Sequence, residues 1–335
     1  MCAHSFGRCA GRVFRPWKNK PRAHPLIGVG LVASVIALAG CSSVPDTPKT
    51  SRPQPTRPTP GQEIIVAGER IPAGTRVVTW LEPRGYNAYA GRGPFPLRRN
   101  SLPAAEQQRI ARHGWTRTSL AQVVDQFVLH YDACGLSRIC FDVLQKRQLS
   151  VHFLLDIDGT IYQTIDLKER AAHATTSNDR SIGIEIANIG AFPPGAAQPL
   201  EQWYRRTPDG RTHLTIPARI TNPGVLTPNF RGRPARPGPI AGSVHQQSLQ
   251  QYDLTPEQYA ALTKLTAALC RTFPKLRAEI PRDRTGRVLM RKLPDAELAR
   301  YRGVLGHFHL QENKVDPGPA FQWERFITDV RAQLR

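Results

Sequence analysis

Three side chains that lie far apart in the sequence are of the types that an open catalytic zinc site uses as ligands. His130 ends the apolar segment FVLHY, His307 follows the segment VLG, and Asp316 lies nine residues later. Two imidazoles and one carboxylate leave the fourth position of a tetrahedral zinc site for water. The sequence has no compact motif such as H-E-x-x-H between them, and a histidine at a strand end is more often structural than a ligand. The three residues therefore predict a zinc site only if the fold brings them together.

One carboxylate, Glu185, interrupts the Ile-rich segment SIGIEIAN, which has the composition of a buried strand. Removal of a carboxylate from water raises its pKa toward the range in which it exchanges a proton near neutral pH. Glu185 is therefore a candidate general base. The alternative interpretation is a structural salt bridge with Arg180 or Lys314.

Short strands and helices that alternate along the chain must position these residues. The apolar patterns predict strands at 126–131, 151–156, 161–165, 181–188 and 303–306, and helices at 104–113, 137–149, 255–273 and from residue 321. The third of these helices begins with a capping box, in which Thr255 is the N-cap, Pro256 the first helical residue and Gln258 the third. The alternation predicts an α/β fold with helices covering a central sheet.

The first 40 residues have the pattern of a bacterial export signal. Six basic side chains and no acidic one occur in the first 25 residues, and the apolar segment LIGVGLVASVIAL follows. This segment is shorter than the roughly 20 residues that a membrane-spanning helix needs, so a cleaved leader is favoured. The last residue of this segment begins the sequence LAGC at 38–41, which resembles the lipobox of a bacterial lipoprotein. We therefore expect residues 1–40 to be a signal peptide and Cys41 to be the acylated first residue of the mature chain.

The remaining chain divides into three predicted parts. Residues 41–62 are rich in Pro and Thr and have almost no large apolar side chain, which predicts an extended tether. Residues 63–115 are expected to form an N-terminal extension that packs on the main domain at 116–335. The Pro-, Gly- and Arg-rich stretch at about 190–250 is expected to be a large surface insertion with a hairpin at its PDG sequence, 208–210.

The chain carries a strong excess of positive charge. Its formal net charge is +20. Without the six basic residues of the leader, 40 basic residues stand against 26 acidic ones, a net charge of +14. Such a charge favours an anionic partner. An exported chain does not normally meet nucleic acid, so we expect anionic lipid head groups or the carboxylates of peptidoglycan; a merely solvated basic surface is the other interpretation.

Four ordered blocks of the sequence carry a family resemblance. They read FVLHYDACG, SVHFLLDIDGTIYQTIDLKERAAHA, SNDRSIGIEIAN and VLGHFHLQENKVDPGPAFQW, and they fall within residues 126–188 and 303–323. The blocks resemble the zinc-dependent N-acetylmuramoyl-L-alanine amidases of the amidase 2 type, which are related to peptidoglycan recognition proteins and phage amidases. The resemblance implies a central mixed β-sheet flanked by helices.

The resemblance also implies a metal cofactor and its ligands. It implies Zn²⁺ held by His130, His307 and Asp316. His309 competes with His307 for the second position. His307 is preferred because the ligand of the family follows a Leu-Gly pair, which occurs here at 305–306.

Further residues receive roles from the same resemblance. Glu185 corresponds to the general base of the family, and Lys314 to a lysine thought to stabilise the oxyanion; a surface lysine is the alternative. His173 aligns with a histidine near the substrate cleft, although Ala172 replaces the usual tryptophan before it. Asn178 is a candidate for binding the stem peptide because of its own position, shortly before the strand that carries Glu185, with a plain turn as the alternative.

Two cysteines, Cys134 and Cys140, follow the first candidate ligand closely. A similarly placed pair is disulfide-bonded in peptidoglycan recognition proteins, so the resemblance implies a bridge here. In an oxidising periplasm such a bridge would stabilise the fold by roughly 2 kcal/mol. Free thiols and additional zinc ligands are the alternatives.

The resemblance implies cleavage of the amide between N-acetylmuramic acid and the L-alanine of the stem peptide. We expect peptidoglycan or muropeptides as substrate, a monomer, no nucleic-acid partner and contact with a membrane only through the lipid anchor. A periplasmic, outer-membrane location is expected, because Ser42 after the lipidated cysteine is not the aspartate of inner-membrane retention. The rival interpretations are a non-catalytic peptidoglycan-binding lipoprotein and a basic envelope protein with a structural role.

Overall fold

The computed structural model describes residues 61–91, 94–96, 98 and 102–335. The predicted signal peptide, the acylation site at Cys41 and the tether up to residue 60 lie outside the described residues and stay predictions. Within the described part of the chain, no helix is both long and apolar enough to cross a bilayer.

The described residues contain twelve strands, seven α-helices and two short 3-10 helices, Thr175–Ser177 and His307–His309. The strands are β1 Glu63–Val66, β2 Glu69–Pro72, β3 Val77–Thr79, β4 Gln126–Tyr131, β5 Phe153–Leu155, β6 Ile161–Gln163, β7 Ser181–Ile186, β8 Tyr204–Arg206, β9 Thr212–Leu214, β10 Ile240–Val244, β11 Gln247–Gln251 and β12 Gly303–Gly306. The helices are α1 Ala104–His113, α2 Arg117–Ala121, α3 Ser137–Lys146, α4 Gln198–Trp203, α5 Pro256–Thr272, α6 Asp295–Arg300 and α7 Trp323–Leu334.

Six strands form one mixed sheet in the order β12-β4-β7-β5-β6-β3. The pairs β12–β4, β4–β7 and β5–β7 are parallel, as is β3–β6, whereas β5–β6 is antiparallel. The central strands β4 and β7 are buried along almost their whole length. Their near-continuous apolar sequences reflect this, because a parallel strand is covered on both faces.

Helices cover both faces of the sheet. Phe127, Leu129 and Ile184 pack in one buried cluster with side chains of α5 and α7. Leu154 points to the opposite face of β5, where it packs with Cys140 of α3. This arrangement confirms the predicted central mixed sheet flanked by helices.

Helix α5 begins at the predicted capping box. Thr255 Oγ1 accepts a hydrogen bond from Gln258 N–H at 3.1 Å, and Gln258 Oε1 accepts one from Thr255 N–H at 3.0 Å. Gln258 also donates Nε2–H to the carbonyl of Ala187 at 2.8 Å. The cap therefore ties the start of α5 to the end of β7, which carries Glu185.

The segment 63–115 does more than pack on the main domain. Its strand β3 pairs with β6 and forms one edge of the central sheet. Ile64 of β1 is fully buried in the largest core cluster. The prediction of an extension packed on the main domain did not include this pairing, because short strands do not reveal their partners in the sequence.

The stretch 190–250 contains two hairpins. The first, β8–β9, turns at the predicted PDG sequence. The second, β10–β11, buries Val244 and Leu249 in the main core cluster. This second hairpin thus differs from the surface position expected for the whole stretch.

Candidate metal centre and catalytic site

The candidate ligands lie at one edge of the sheet, where parallel strands end. His130 of β4 has Glu185 of β7 as its Cα partner. His307 directly follows β12, the other neighbour of β4. The carbonyl of Asp316 accepts a hydrogen bond from Phe308 N–H at 3.2 Å, which brings the later loop back to the same edge. The carboxyl ends of parallel strands are where α/β sheets place their sites.

Three side-chain atoms converge at this edge. His130 Nδ1, His307 Nδ1 and Asp316 Oδ2 each lie 3.0 Å from the other two, and all three residues are buried. Within the described part of the chain, this is the only group of three or more His, Cys, Asp or Glu side chains arranged to hold a metal ion. Two imidazole nitrogens and a carboxylate oxygen are typical zinc donors.

The protonation states of these donors suit a metal. Burial, together with the neighbouring His307, lowers the pKa of His130 to about 4, so its imidazole is neutral near neutral pH. Burial alone would raise the pKa of Asp316, but the hydrogen bonds with His130 and His307 hold it well below its ordinary value. Neutral imidazole and ionised carboxylate are the forms that bind metal ions.

A cavity of about 660 Å³ opens beside the three donors. Glu185 and Lys314 line it together with the candidate ligands. Burial raises the pKa of Glu185 well above its ordinary value, and the nearby carboxylates of Asp316 and Asp132 raise it further, while the charge of Lys314 opposes them. A carboxylate with a raised pKa in a cavity is suited to proton transfer.

Neither of the alternative salt bridges of Glu185 is present among the described residues. Arg180 instead pairs with Asp125, at 2.6 Å from Nε to Oδ1 and 2.5 Å from Nη2 to Oδ2. Lys314 forms no ion pair with Glu185 within the described structure. Among the described residues, Glu185 therefore forms an ion pair with neither of them.

The sequence profile of the N-acetylmuramoyl-L-alanine amidase family, Amidase_2, matches residues 120–319, more than half of the chain. The chain belongs to this family. The match contains all the residues that converge at the cavity. Comparison with the curated proteins gives no match.

Several solved structures are similar to this amidase-family chain. The N-acetylmuramyl-L-alanine amidase AmiD from E. coli, solved with anhydro-N-acetylmuramic acid-L-Ala-D-gamma-Glu-L-Lys, has 18% identity and a TM-score of 0.36; the alignment covers 65% of this chain and 59% of AmiD. AmpD has 18% identity and a TM-score of 0.31, with 75% and 98% covered. The drosophila peptidoglycan recognition protein SD has 14% identity and a TM-score of 0.34, with 74% and 90% covered.

His173 contacts His130, the first candidate metal ligand. Its Nδ1 lies 3.1 Å from His130 Nε2, and its Nε2 lies 3.3 Å from Ser181 Oγ. A His130 that binds a metal through Nδ1 carries its proton on Nε2, from which it can donate to His173. Such contacts fix the ring orientation of a metal ligand. His173 also lines the cavity, so its predicted role in substrate binding stays a prediction.

The positions of His307 and His309 differ sharply. His307 Nδ1 faces the other two donors, and Nε2–H donates to Gln311 Oε1 at 2.6 Å. Both ring nitrogens of His309 are bound to the backbone: Nδ1 accepts from Gly306 N–H at 2.9 Å and Nε2–H donates to the Leu289 carbonyl at 2.7 Å. His309 therefore holds the loop together, and only His307 lies at the metal group.

Asn178 lies in the wall of the cavity, where its side chain organises a turn. Its Oδ1 accepts hydrogen bonds from the N–H groups of His173 and Ala174, at 3.1 and 2.6 Å. The turn interpretation of Asn178 thus has direct support. Its predicted binding of the stem peptide stays a prediction.

The two cysteines next to the cavity are free thiols in the structure. A hydrogen bond with Cys134, followed by burial, raises the pKa of Cys140 well above its ordinary value. The two side chains therefore lie close together, and the raised pKa favours the protonated thiol of Cys140. The disulfide implied by the family resemblance is not formed here and stays a prediction.

Two residues that support the site were not foreseen from the sequence. Gln311 orients His307, and its spacing of four residues within one turn was the available signal. Arg98 is buried and donates to the carbonyls of Leu167 and Ser181, at 2.9 and 3.2 Å, on either side of the segment that carries His173. No local pattern distinguishes Arg98 from the many exposed arginines of this chain.

Proposed function

We propose that the protein is a zinc-dependent amidase that hydrolyses the amide between N-acetylmuramic acid and the L-alanine of the stem peptide. One observation carries the proposal. The three candidate ligand atoms converge in the wall of the same cavity that Glu185 lines. Membership of the N-acetylmuramoyl-L-alanine amidase family supports the same reaction.

The donor set fits zinc. His130, His307 and Asp316 supply three ligands of the kinds that catalytic zinc sites use, and the cavity lies beside them, where a substrate has access. When bound, zinc supplies a Lewis acid that activates water near neutral pH and polarises the amide carbonyl. A catalytic site of this kind keeps one position open, which a fourth protein ligand would close.

Glu185 acts as the general base and then as the general acid. It takes a proton from the water that attacks the amide carbon, and it gives this proton to the nitrogen of L-alanine as the C–N bond breaks. The lactyl group keeps the new carboxylate, and the peptide leaves with a free amino group. The raised pKa of Glu185 suits a group that must hold the proton between these two steps.

Lys314 is proposed to stabilise the negative charge that develops on the carbonyl oxygen. Its side chain lines the cavity, and its charge acts on both Glu185 and His130. A positive charge that is already in place contributes most where charge develops in the transition state. The hydrogen bond from His245 Nε2–H to the Lys314 carbonyl, at 3.0 Å, fixes the backbone of this residue.

We also propose that the enzyme is attached to the outer membrane through Cys41 and works in the periplasm as a monomer. The support is the order of basic, apolar and small residues before Cys41 and the Pro- and Thr-rich segment after it. A tether of this composition spans up to about 3 Å per residue and would let the domain reach the cell wall.

Digestion of purified sacculi tests the proposed function. We expect the zinc-loaded protein to release new amino-terminal L-alanine, detected by end-group labelling, and the chelator-treated protein to release none until zinc is restored. Chelator-treated protein supplied with Mg²⁺ is the matched control, because Mg²⁺ is held poorly by two imidazoles. Binding to sacculi without any new amino terminus would contradict the proposal and favour the non-catalytic peptidoglycan-binding alternative.

A further inference from the structure

The hairpin β10–β11 packs against the segment that carries the third candidate ligand. On one side of Asp316, His245 in the hairpin turn donates to the Lys314 carbonyl. On the other side, a Cβ added to Gly242 of β10 would lie 2.7 Å from the Cβ of Pro319. We call residues 314–320 the ligand segment. The hairpin therefore contacts the ligand segment both before and after Asp316.

Gln251, the last residue of β11, makes the central contacts. It is 1% exposed. Its Oε1 accepts from Ala320 N–H at 3.0 Å, and its Nε2 donates to the Pro317 carbonyl at 3.0 Å. The amide group thus binds the main chain of the ligand segment with both its donor and its acceptor, immediately after Asp316.

The main chain after Asp316 approaches the Gln251 side chain so closely that position 318 requires a glycine. Gly318 has a φ of 89°, in the left-handed region that favours glycine. A Cβ added there would lie 2.0 Å from Gln251 Oε1. The ligand segment and the Gln251 amide therefore fit each other without room for any other side chain at position 318.

Gln251 also connects this segment to the strand of the general base. Its Nε2 donates to Asn188 Oδ1 at 3.2 Å, two residues after the end of β7. Asn188 is itself fixed, because its Nδ2 donates to the Tyr252 carbonyl at 3.1 Å. One amide thus links the backbone beside Asp316 to the end of the strand that contains Glu185.

We infer that Gln251 is a positioning residue for the metal site, acting through the main chain on Asp316. The inference rests on the proposed function only in that the metal is zinc. Loss of the amide leaves the Pro317 carbonyl and the Ala320 N–H without their partner, so the Asp316 carboxylate is held less firmly against the two histidines. Loss of a residue that orients a ligand lowers metal affinity by roughly 10- to 100-fold.

The test is the zinc dissociation constant of full-length protein, measured by competition with a chromogenic chelator. Gln251→Met keeps the length of the side chain but removes the amide, and Gln251→Asn keeps the amide but shortens the reach. The matched control is Gln247→Ala, an exposed glutamine of the same strand. The visible absorption spectrum of each Co²⁺-loaded protein reports ligand geometry, which a merely structural role of Gln251 would leave unchanged.

We expect both Gln251 variants to bind zinc roughly 10- to 100-fold more weakly, with an altered cobalt spectrum, while Gln247→Ala matches the unchanged protein. If Gln251→Met does not fold, as judged by circular dichroism, Gln251→Asn decides the matter. Unchanged zinc affinity and an unchanged spectrum in the folded variants would overturn the inference alone. Failure of the unchanged protein to bind zinc would overturn the proposed function as well.

Discussion

Replacement of Glu185 by glutamine is expected to lower the rate of amide cleavage by roughly 100- to 10,000-fold, the usual contribution of a general acid–base group. Glutamine has nearly the same shape, but it cannot accept the proton of the attacking water. Glu185 is not one of the three converging donors, so Glu185→Gln is expected to bind as much zinc as the unchanged protein.

The measurements are the turnover number on a soluble muropeptide and the zinc content of the same preparation. Glu169→Gln is the matched control, because Glu169 is also a half-buried glutamate with a pKa raised by burial, but it accepts a hydrogen bond from Tyr89 outside the cavity. It should retain the activity of the unchanged protein. A Glu185→Gln protein with more than about a tenth of the original turnover would contradict the assignment.

Replacement of His307 by glutamine is expected to remove bound zinc and to lower activity by roughly 1,000-fold or more, because a Lewis acid worth several kcal/mol is lost. His307 Nδ1 is one of the three converging donor atoms, and an amide group is a poor substitute for imidazole. Metal analysis of purified protein should find about one zinc per unchanged chain and almost none in His307→Gln.

His309→Gln is the matched control, since it changes the neighbouring histidine in the same way. It should keep its zinc but lose roughly 1–3 kcal/mol of unfolding free energy, because Gly306 N–H or the Leu289 carbonyl loses a buried hydrogen bond. Loss of zinc from His309→Gln with retention in His307→Gln would reverse the assignment of the second ligand.

The sequence could predict those residues of the candidate site that lie at the ends of apolar strands. His130 and Glu185 lie in apolar segments that form parallel neighbours, and His307 directly follows the third such strand. The buried edge that these strands share follows from the α/β pattern. The assignment of individual roles came from the family resemblance, which fitted His307 better than His309 because of the preceding Leu-Gly pair.

The supporting contacts could not be predicted, because they join residues far apart in the chain. Gln251 reaches the ligand segment from a hairpin that the composition alone placed at the surface. Arg98 donates hydrogen bonds to the carbonyls of Leu167 and Ser181, which lie 69 and 83 positions further along the chain. A polar side chain in a loop-like segment looks the same in the sequence whether it faces solvent or buried carbonyls, so only the fold distinguishes these roles.

The roles of His173 and Asn178 illustrate a related limit. The alignment of His173 with the family predicted that it lies near the cleft, and Asn178 was a candidate for binding the stem peptide. Both residues line the cavity. The structure adds that His173 contacts the far nitrogen of His130 and that Asn178 Oδ1 caps the turn that contains His173. Which atom of a side chain faces the site depends on its rotamer and partners, and spacing along the chain does not encode either.

The central claim is that water attacks the carbonyl between the lactyl group and L-alanine, with Glu185 as the base and the three donors holding zinc. The most direct measurement is mass spectrometry of a defined muropeptide after digestion in heavy-oxygen water. The account predicts one heavy oxygen in the carboxylate of the muramic acid product and none in the released peptide, with both products absent after Glu185→Gln. Heavy oxygen in the peptide or at a glycosidic carbon, or the same products from Glu185→Gln, would contradict it.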